Sequence, residues 1–152
     1  MHVHTPITVR YGETDMMGVV YHANYLLYFE DARIDFLNAV GFSYNERIEQ
    51  QGYMSPIRDV EIHYRAPLRY GERGFVRTSV VKNLPTKTVY RQQVFREGDD
   101  PSTTEPLVDG LLTLCVVERD TFKPVSIKRT FPALYELYGE LVEEDSGTPR
   151  RS

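Results

Sequence analysis

The chain has 152 residues, of which 41% are apolar and 26% are charged, and its formal net charge is -4. This composition is typical of one globular domain with a buried core, and the negative balance argues against general attraction to nucleic acid or anionic membrane. A single cysteine, Cys115, excludes an intrachain disulfide framework and is expected to be a buried, inert thiol. Residues 1–6 show no signal-peptide pattern and no apolar run approaches a membrane span, so we expect a cytoplasmic protein.

The first third of the chain predicts one strand followed by one long helix. Apolar and polar residues alternate over Ile7–Tyr11, which indicates a strand. From about Asn24 to Val40, apolar side chains recur every three or four residues, and Gly41 follows at the usual helix end. The apolar face is wide, so we expect this helix to be largely enclosed by other structure.

Strand-like runs separated by turn residues fill the rest of the chain. They cover residues 54–64, 74–82, 88–95 and 107–118, and their spacing favours antiparallel hairpins. Phe131–Leu141 predicts a short terminal helix with Pro132 in its first turn. The predicted fold is α+β, an antiparallel sheet wrapped around a long central helix, in a single domain of residues 1–142. The polar tail, residues 143–152, is expected to be disordered.

One carboxylate lies in a turn just before the predicted helix, in the segment Tyr11-Gly-Glu-Thr-Asp15-Met-Met-Gly18-Val-Val-Tyr-His22. A helix start presents backbone N–H groups without intrahelical partners and carries a partial positive charge. An acid seven residues ahead of His22 can therefore share a small site with donors that hold a developing oxyanion. Asp15 and Gly18 are also ordinary turn residues, so a simple capping turn is an equally good interpretation of the pattern.

The pattern Asp15-x-x-Gly18-Val-Val-Tyr-x-x-x-Tyr25 resembles the signature of hotdog-fold acyl-CoA thioesterases of the 4-hydroxybenzoyl-CoA thioesterase type, including the YbgC-like branch. Two later blocks match the family in the same order, and the resemblance covers roughly residues 5–140. The blocks are Asn24-Tyr25-Leu-x-Tyr28-Phe29-Glu30-x-Ala32-Arg33 and Pro56-Ile-x-x-Val60-Glu61-Ile-x-Tyr64-x-x-Pro67-Leu-x-Tyr70-Gly71. The resemblance implies a hotdog fold and hydrolysis of an acyl-CoA, with coenzyme A entering only as part of the substrate and no other cofactor.

The resemblance also implies catalytic roles. Asp15 acts as nucleophile, forming a mixed anhydride, or as general base toward water, and the sequence leaves both open. The family polarises the thioester carbonyl with a backbone N–H seven residues after the acid, which here is that of His22. The His22 imidazole either packs locally or contacts water or substrate. The sequence has no Gly-x-Ser-x-Gly elbow, so it suggests no Ser-His-Asp arrangement. It has no HExxH motif and no Cys/His set, so we expect no catalytic metal.

Substrate-binding residues are predicted more weakly. Tyr25, Phe29 and Met54 are expected to line the acyl pocket. Lys82, Lys87 and Arg91 flank a predicted turn, and Lys87 matches a phosphate-binding position of the family; a solvated strand edge is the alternative.

The alternatives to an acyl-CoA substrate are an acyl-carrier-protein substrate and a hotdog module that binds acyl thioesters without cleaving them. Hotdog relatives pair two protomers and build each active site across the interface. We therefore expect a homodimer or a homotetramer, in which residues after Met54 complete the partner's site around Asp15.

Overall fold

The computed structural model of the chain describes residues 1–145, which form two antiparallel sheets and a set of helices. Within these residues the strands are β1 (His2–Thr8), β2 (Tyr53–Met54), β3 (Ile57–Tyr64), β4 (Arg73–Leu84), β5 (Lys87–Arg96), β6 (Val108–Leu114) and β7 (Val117–Glu118). The helices are α1 (Tyr25–Ala39), α2 (Tyr44–Arg47), α3 (Ile127–Thr130) and α4 (Pro132–Leu141). Short 3₁₀ turns cover Tyr11–Glu13, His22–Asn24 and Glu49–Gln51.

The main sheet has five strands in the order β1-β4-β5-β6-β3, and every neighbouring pair is antiparallel. A smaller sheet pairs β2 with β7. Strands β1 and β3 are therefore the two edges of the main sheet. The absence of parallel pairs among the described strands confirms the hairpin architecture predicted from the strand spacing.

Helix α1 packs its aromatic face on the main sheet. Phe29 and Phe36 are fully buried, and the Phe36 ring meets the Tyr90 ring of β5 edge to face. A Cβ at Gly110 of β6 would lie 2.9 Å from Cε2 of Phe29, so glycine lets the helix approach the sheet closely. The helix ends where predicted, because Gly41 adopts a positive φ of 78° that other residues rarely adopt. The predicted α+β class, with a sheet around a long helix, is confirmed.

Several predicted boundaries were wrong. The first strand begins at His2 and ends at Thr8 instead of covering Ile7–Tyr11, and it pairs with β4 along its whole length. Pro6 is tolerated within β1 because an edge strand does not need every N–H for pairing. The predicted strand 54–64 is split at Ser55-Pro56, since proline supplies no N–H to a ladder. Cys115, in the gap between β6 and β7, is half-buried instead of buried.

The C-terminal helix has Pro132 at its first turn, as predicted. The residues just after it contact the sheet: the Glu143 N–H donates to the Val80 carbonyl at 2.8 Å, and Asp145 pairs with Arg91 at 2.8 Å. Residues 143–145, the start of the tail that the sequence analysis expects to be disordered, therefore contact the sheet. Residues 146–152 lie outside the described residues. In the part of the chain that is described, no helix has both the length and the apolar character needed to cross a membrane.

Candidate active site

Asp15 lies in a tight hairpin turn. Thr14 and Val20 form an antiparallel bridge on either side of it, and the Asp15 N–H donates to the Val19 carbonyl at 2.9 Å. Gly18 closes the turn with a φ of 75°, a conformation that favours glycine. The Met17 N–H donates to Oδ1 of Asp15 at 2.8 Å. One carboxylate oxygen therefore stabilises the turn, as the capping interpretation predicts, while no hydrogen bond to Oδ2 occurs within residues 1–145.

The segment before Asp15 is anchored to the start of α1. The Glu13 carbonyl accepts the Tyr21 N–H and the Asn24 side-chain amide, both at 2.9 Å. The Glu13 carboxylate accepts the Tyr28 hydroxyl at 2.9 Å and the Arg10 N–H at 2.8 Å. Burial, and then the neighbouring Glu13 carboxylate, raises the pKa of Tyr28, so its hydroxyl stays protonated and continues to donate. These bonds hold the Asp15 turn in register with the helix start.

His22 is the first residue of the 3₁₀ turn that leads directly into α1. Its backbone N–H donates no hydrogen bond to any described residue, as expected for the first turn of a helical segment. Its carbonyl accepts the Tyr64 hydroxyl at 3.0 Å. The imidazole is exposed, with its ring 4.4 Å from that of Tyr21 and 6.3 Å from that of Tyr64. The geometry thus favours a backbone role for His22, with the imidazole packing on neighbouring tyrosines.

Asp15 and His22 line the same pocket, which has a volume of about 260 Å³. The remaining lining residues are Met17, Val19, Val20, Tyr25, Tyr64, Arg65, Ala66 and Pro67. Tyr25 is buried, its hydroxyl accepts the Leu68 N–H at 3.3 Å, and burial raises the pKa of the phenol, which stays neutral. Arg65 pairs with Glu105 at 2.7 Å. The pocket therefore combines mostly apolar walls with one carboxylate and a helix start, which suits an electrophilic carbonyl.

The structure separates the other predicted binding residues from this pocket. Phe29 is fully buried against Gly110 and does not line the Asp15 pocket of its own chain. Met54 lies in β2 opposite Val117 and does not line the Asp15 pocket of its own chain. Of the seven predicted site residues, Asp15, His22 and Tyr25 line the pocket and Gly18 shapes its turn.

The basic set near the β4–β5 turn is smaller than the sequence indicated. Lys87 opens β5 opposite Leu84 and is half-buried. Arg91 pairs with Asp109 at 3.1 Å and with Asp145 at 2.8 Å, and these contacts raise its pKa against the effect of burial. Because two carboxylates already neutralise Arg91, Lys82 and Lys87 are the members of this set that remain suited to a phosphate.

Tyr64 and Arg65 line the pocket, but the sequence assigned them no role there. They come from the end of β3, more than forty residues after His22. The signal that pointed to them was weak: an aromatic residue at the end of a predicted strand, within a block that matches the family. Within residues 1–145, no group of three or more His, Cys, Asp or Glu side chains is arranged to hold a metal ion.

A family model described as the thioesterase-like superfamily matches residues 9–129. The chain belongs to this superfamily. It is 36% identical over 132 residues to YneP of Bacillus subtilis, a proposed acyl-CoA thioesterase, with 87% of this chain and 91% of the relative covered. It is 27% identical over 130 residues to the acyl-CoA thioesterase YbgC of Haemophilus influenzae, with 86% and 91% covered.

The solved structure of a DHNA-CoA thioesterase from Staphylococcus aureus is similar to this chain, with a TM-score of 0.83 and 38% identity over 91% of this chain and 89% of that one. The solved structure of a protein from Thermus thermophilus is similar too, with a TM-score of 0.78 and 32% identity over 95% of this chain and 100% of that one. The fold is the hotdog fold that the sequence predicted.

Proposed function

We propose that this protein hydrolyses the thioester bond of an acyl-CoA, giving a free acid and coenzyme A. The observation that carries the proposal is the shared pocket of Asp15 and His22, where a carboxylate oxygen with no partner among the described residues lies beside a helix start. The relatives named as acyl-CoA thioesterases support the same reaction.

The proposed mechanism places the thioester carbonyl between Asp15 and the His22 N–H. The N–H and the positive end of the helical segment stabilise the negative charge that develops on the carbonyl oxygen. In the nucleophilic route, Oδ2 of Asp15 attacks the carbonyl carbon, the C–S bond breaks and coenzyme A leaves as a thiolate; water then cleaves the mixed anhydride. In the general-base route, Asp15 takes a proton from the water that attacks the carbonyl directly, and the C–S bond then breaks to release the free acid and the coenzyme A thiolate.

Mass spectrometry distinguishes the two routes. A mixed anhydride hydrolyses at the alkaline pH that trypsin needs, so the acid-quenched enzyme is kept at low pH and its mass is measured on the intact protein. The protein shows the mass of one added acyl group if Asp15 is the nucleophile, and the Asp15→Asn variant does not. Protein without added mass throughout a single turnover supports the general-base route.

The test of the function itself is a thiol-release assay across short, long, branched and aromatic acyl-CoAs. Release from at least one class supports the proposal, and binding without release from any of them supports the alternative, a non-catalytic module. Acyl-carrier-protein thioesters in the same assay decide the identity of the carrier. A contact between Lys87 and the phosphates of coenzyme A, and a cytoplasmic location, remain predictions.

We also propose that the active unit is at least a homodimer paired through β3. Ile57, Val60 and Tyr64 of this edge strand are 38%, 44% and 49% exposed, and an exposed apolar edge is a ready template for another strand. Antiparallel pairing of β3 with its own copy would set the start of one strand against the end of the other. Residues just after Met54 of one chain would then approach Tyr64 and the Asp15 pocket of the other.

A further inference from the structure

Met17 lines the Asp15 pocket but leaves most of its surface in water. The residue is 76% exposed, whereas Tyr64, another large apolar residue of the lining, is 49% exposed. The neighbouring Met16 is exposed as well, but it does not line the pocket. An apolar side chain that is open to water at the edge of a pocket is stabilised when a ligand covers it. Of the two adjacent methionines, Met17 is therefore the one placed to contact a ligand of this pocket.

The backbone that carries Met17 is held in place on the side of Asp15. The Met17 N–H donates to Oδ1 of Asp15 at 2.8 Å, and the Gly18 N–H donates to the Asp15 carbonyl at 3.0 Å. The bridge between Thr14 and Val20 closes the turn around them. A methionine side chain has three rotatable bonds and a polarisable thioether, so it adapts its shape to the surface that it meets. Met17 thus joins a fixed position next to the carboxylate with an adaptable side chain.

The pocket has room for a ligand beneath this side chain. Its volume is about 260 Å³, and an apolar cavity of about 150 Å³ is already large enough for benzene. The other aliphatic side chains of the lining are those of Val19, Val20, Ala66 and Pro67. An acyl group whose carbonyl lies between Asp15 and the His22 N–H would therefore extend among apolar side chains, of which Met17 is the most flexible.

We propose that Met17 is a specificity-determining residue, whose side chain folds over the apolar part of the acyl group. The inference rests on the proposed function, because the ligand that Met17 covers is the acyl group of the thioester. A thioether packs well on alkyl chains and on aromatic rings, so the preferred acyl groups are apolar and either aliphatic or aromatic. An acetyl group presents a single methyl group to Met17, whereas a hexanoyl chain or a benzoyl ring presents a larger surface. Met17 therefore favours the larger acyl groups over acetyl.

Limited oxidation by hydrogen peroxide tests the contact directly. The peroxide transfers one oxygen atom to a thioether sulfur and is itself reduced to water, so an accessible methionine becomes a sulfoxide. The protein used is the Asp15→Asn variant, which keeps an acceptor for the Met17 N–H and is expected to leave added acyl-CoA intact. Tryptic cleavage after Arg10 and Arg33 releases one peptide with both Met16 and Met17, and its fragment masses locate the added oxygen.

Saturating hexanoyl-CoA or benzoyl-CoA slows sulfoxide formation at Met17 at least about fivefold, because a covered sulfur is less accessible to the peroxide. Acetyl-CoA slows it less, since its methyl group covers little of the side chain. Met16 is oxidised at the same rate with and without each ligand. Because Met16 lies in the same peptide, it also controls for any peroxide that the ligand consumes.

Variants of the two methionines test the effect on specificity. The measured quantity is the kcat/KM for hexanoyl-CoA or benzoyl-CoA, whichever the parent cleaves faster, divided by the kcat/KM for acetyl-CoA. Met17→Ala lowers this ratio at least about fivefold, less than one methylene group is worth in a closed pocket, because Met17 covers the ligand from one side. Met17→Leu keeps an apolar side chain of similar size and restores the ratio to near the parent value. Met16→Ala makes the same truncation at the adjacent residue and keeps the parent ratio.

The inference is overturned if Met17 is oxidised as fast with hexanoyl-CoA and benzoyl-CoA as without them. It is overturned equally if Met17→Ala and Met16→Ala have the same ratio. A Met17→Ala variant that sediments as a smaller species than the parent also rejects it, because Met17 would then pack on another copy of the chain. Failure of the proposed function is a separate outcome: a parent protein that releases thiol from no acyl-CoA rejects hydrolysis, while the oxidation experiment still decides whether Met17 contacts the acyl group.

Discussion

The hydroxyl of Tyr64 donates a hydrogen bond of 3.0 Å to the backbone carbonyl of His22, 42 residues earlier in the chain. Tyr64 is the last residue of β3, and His22 begins the helical turn that leads into α1. This bond ties the edge of the main sheet to the helix start at the wall of the Asp15 pocket. It gives the peptide groups near His22 a fixed orientation relative to the sheet.

Tyr64→Phe is therefore expected to lower kcat about 3- to 10-fold with little change in KM. The substitution keeps the aromatic wall but removes the bond that orients the His22 backbone, whose N–H acts mainly in the transition state. Steady-state kinetics with the best acyl-CoA of the panel measure the effect. The control is Tyr70→Phe, at a residue 62% exposed that meets Tyr11 through its ring, and it should retain parent kinetics. Equal kcat values for the two variants would show that the Tyr64 hydroxyl does not position the His22 backbone.

Asp15→Asn is expected to reduce turnover by at least ~100-fold, the usual contribution of a positioned acid or base. The amide oxygen of Asn can still accept the Met17 N–H, so the turn and the thermal stability should be preserved. Thiol-release kinetics and thermal unfolding measure the two properties separately. Asp120→Asn, at an exposed turn residue, is the matched control and should be fully active. If the Asp15 variant keeps parent activity, the mechanism proposed above is wrong.

Lys87→Ala is expected to raise KM more than it lowers kcat, because a phosphate contact remote from the carbonyl acts mainly on binding. Added salt should shrink the difference from the parent enzyme, since screening weakens the ionic contact. KM measured at low and high salt checks both points. Lys123→Ala removes an exposed lysine near β7 and serves as the control. An unchanged KM at low salt would mean that Lys87 makes no contact with the phosphates and is a solvated strand residue.

Val60→Lys is expected to shift the protein from dimer toward monomer and to lower activity in proportion. The residue is 44% exposed at the β3 edge, and a charge there opposes strand pairing between copies. Sedimentation of the parent and the variant at micromolar concentration measures the change. Val142→Lys alters a residue that is 41% exposed and lies after α4, and it should leave the assembly intact. A fully active parent that sediments as a monomer near 17.6 kDa would contradict both the dimer and the shared site.

Gly110→Ala is expected to destabilise the fold by about 1–3 kcal/mol, the usual range for overpacking a core. The new methyl group would meet Cε2 of Phe29 at 2.9 Å and the Gln92 carbonyl at 3.2 Å, so α1 would have to move away from β6. Urea unfolding gives the free energy. Gly12→Ala adds the same group where nothing lies within 4 Å and should change stability far less. Similar losses of unfolding free energy in the two variants would mean that the close contact between α1 and β6 does not explain why residue 110 is glycine.

Local patterns in the sequence determined the parts of this protein that depend on neighbours along the chain. The apolar periodicity of 24–40 and the glycine that follows predicted α1, because a helix buries residues spaced by three or four. The Asp15 turn and its glycine were also visible, since the Asp15 carboxylate and Gly18 close the turn within four residues. The succession of strand segments along the chain after α1 was predicted from the same kind of local pattern.

Only the tertiary structure decided which of these residues meet. It placed Phe29 in the core, brought Tyr64 to His22, and joined Arg91 to Asp109 and Asp145. It also buried Arg33 of α1 against Gln92 of β5, to which its guanidinium donates a hydrogen bond of 2.9 Å. Each of these facts depends on packing between segments far apart in sequence, where side-chain periodicity tells which face is buried but not what that face contacts.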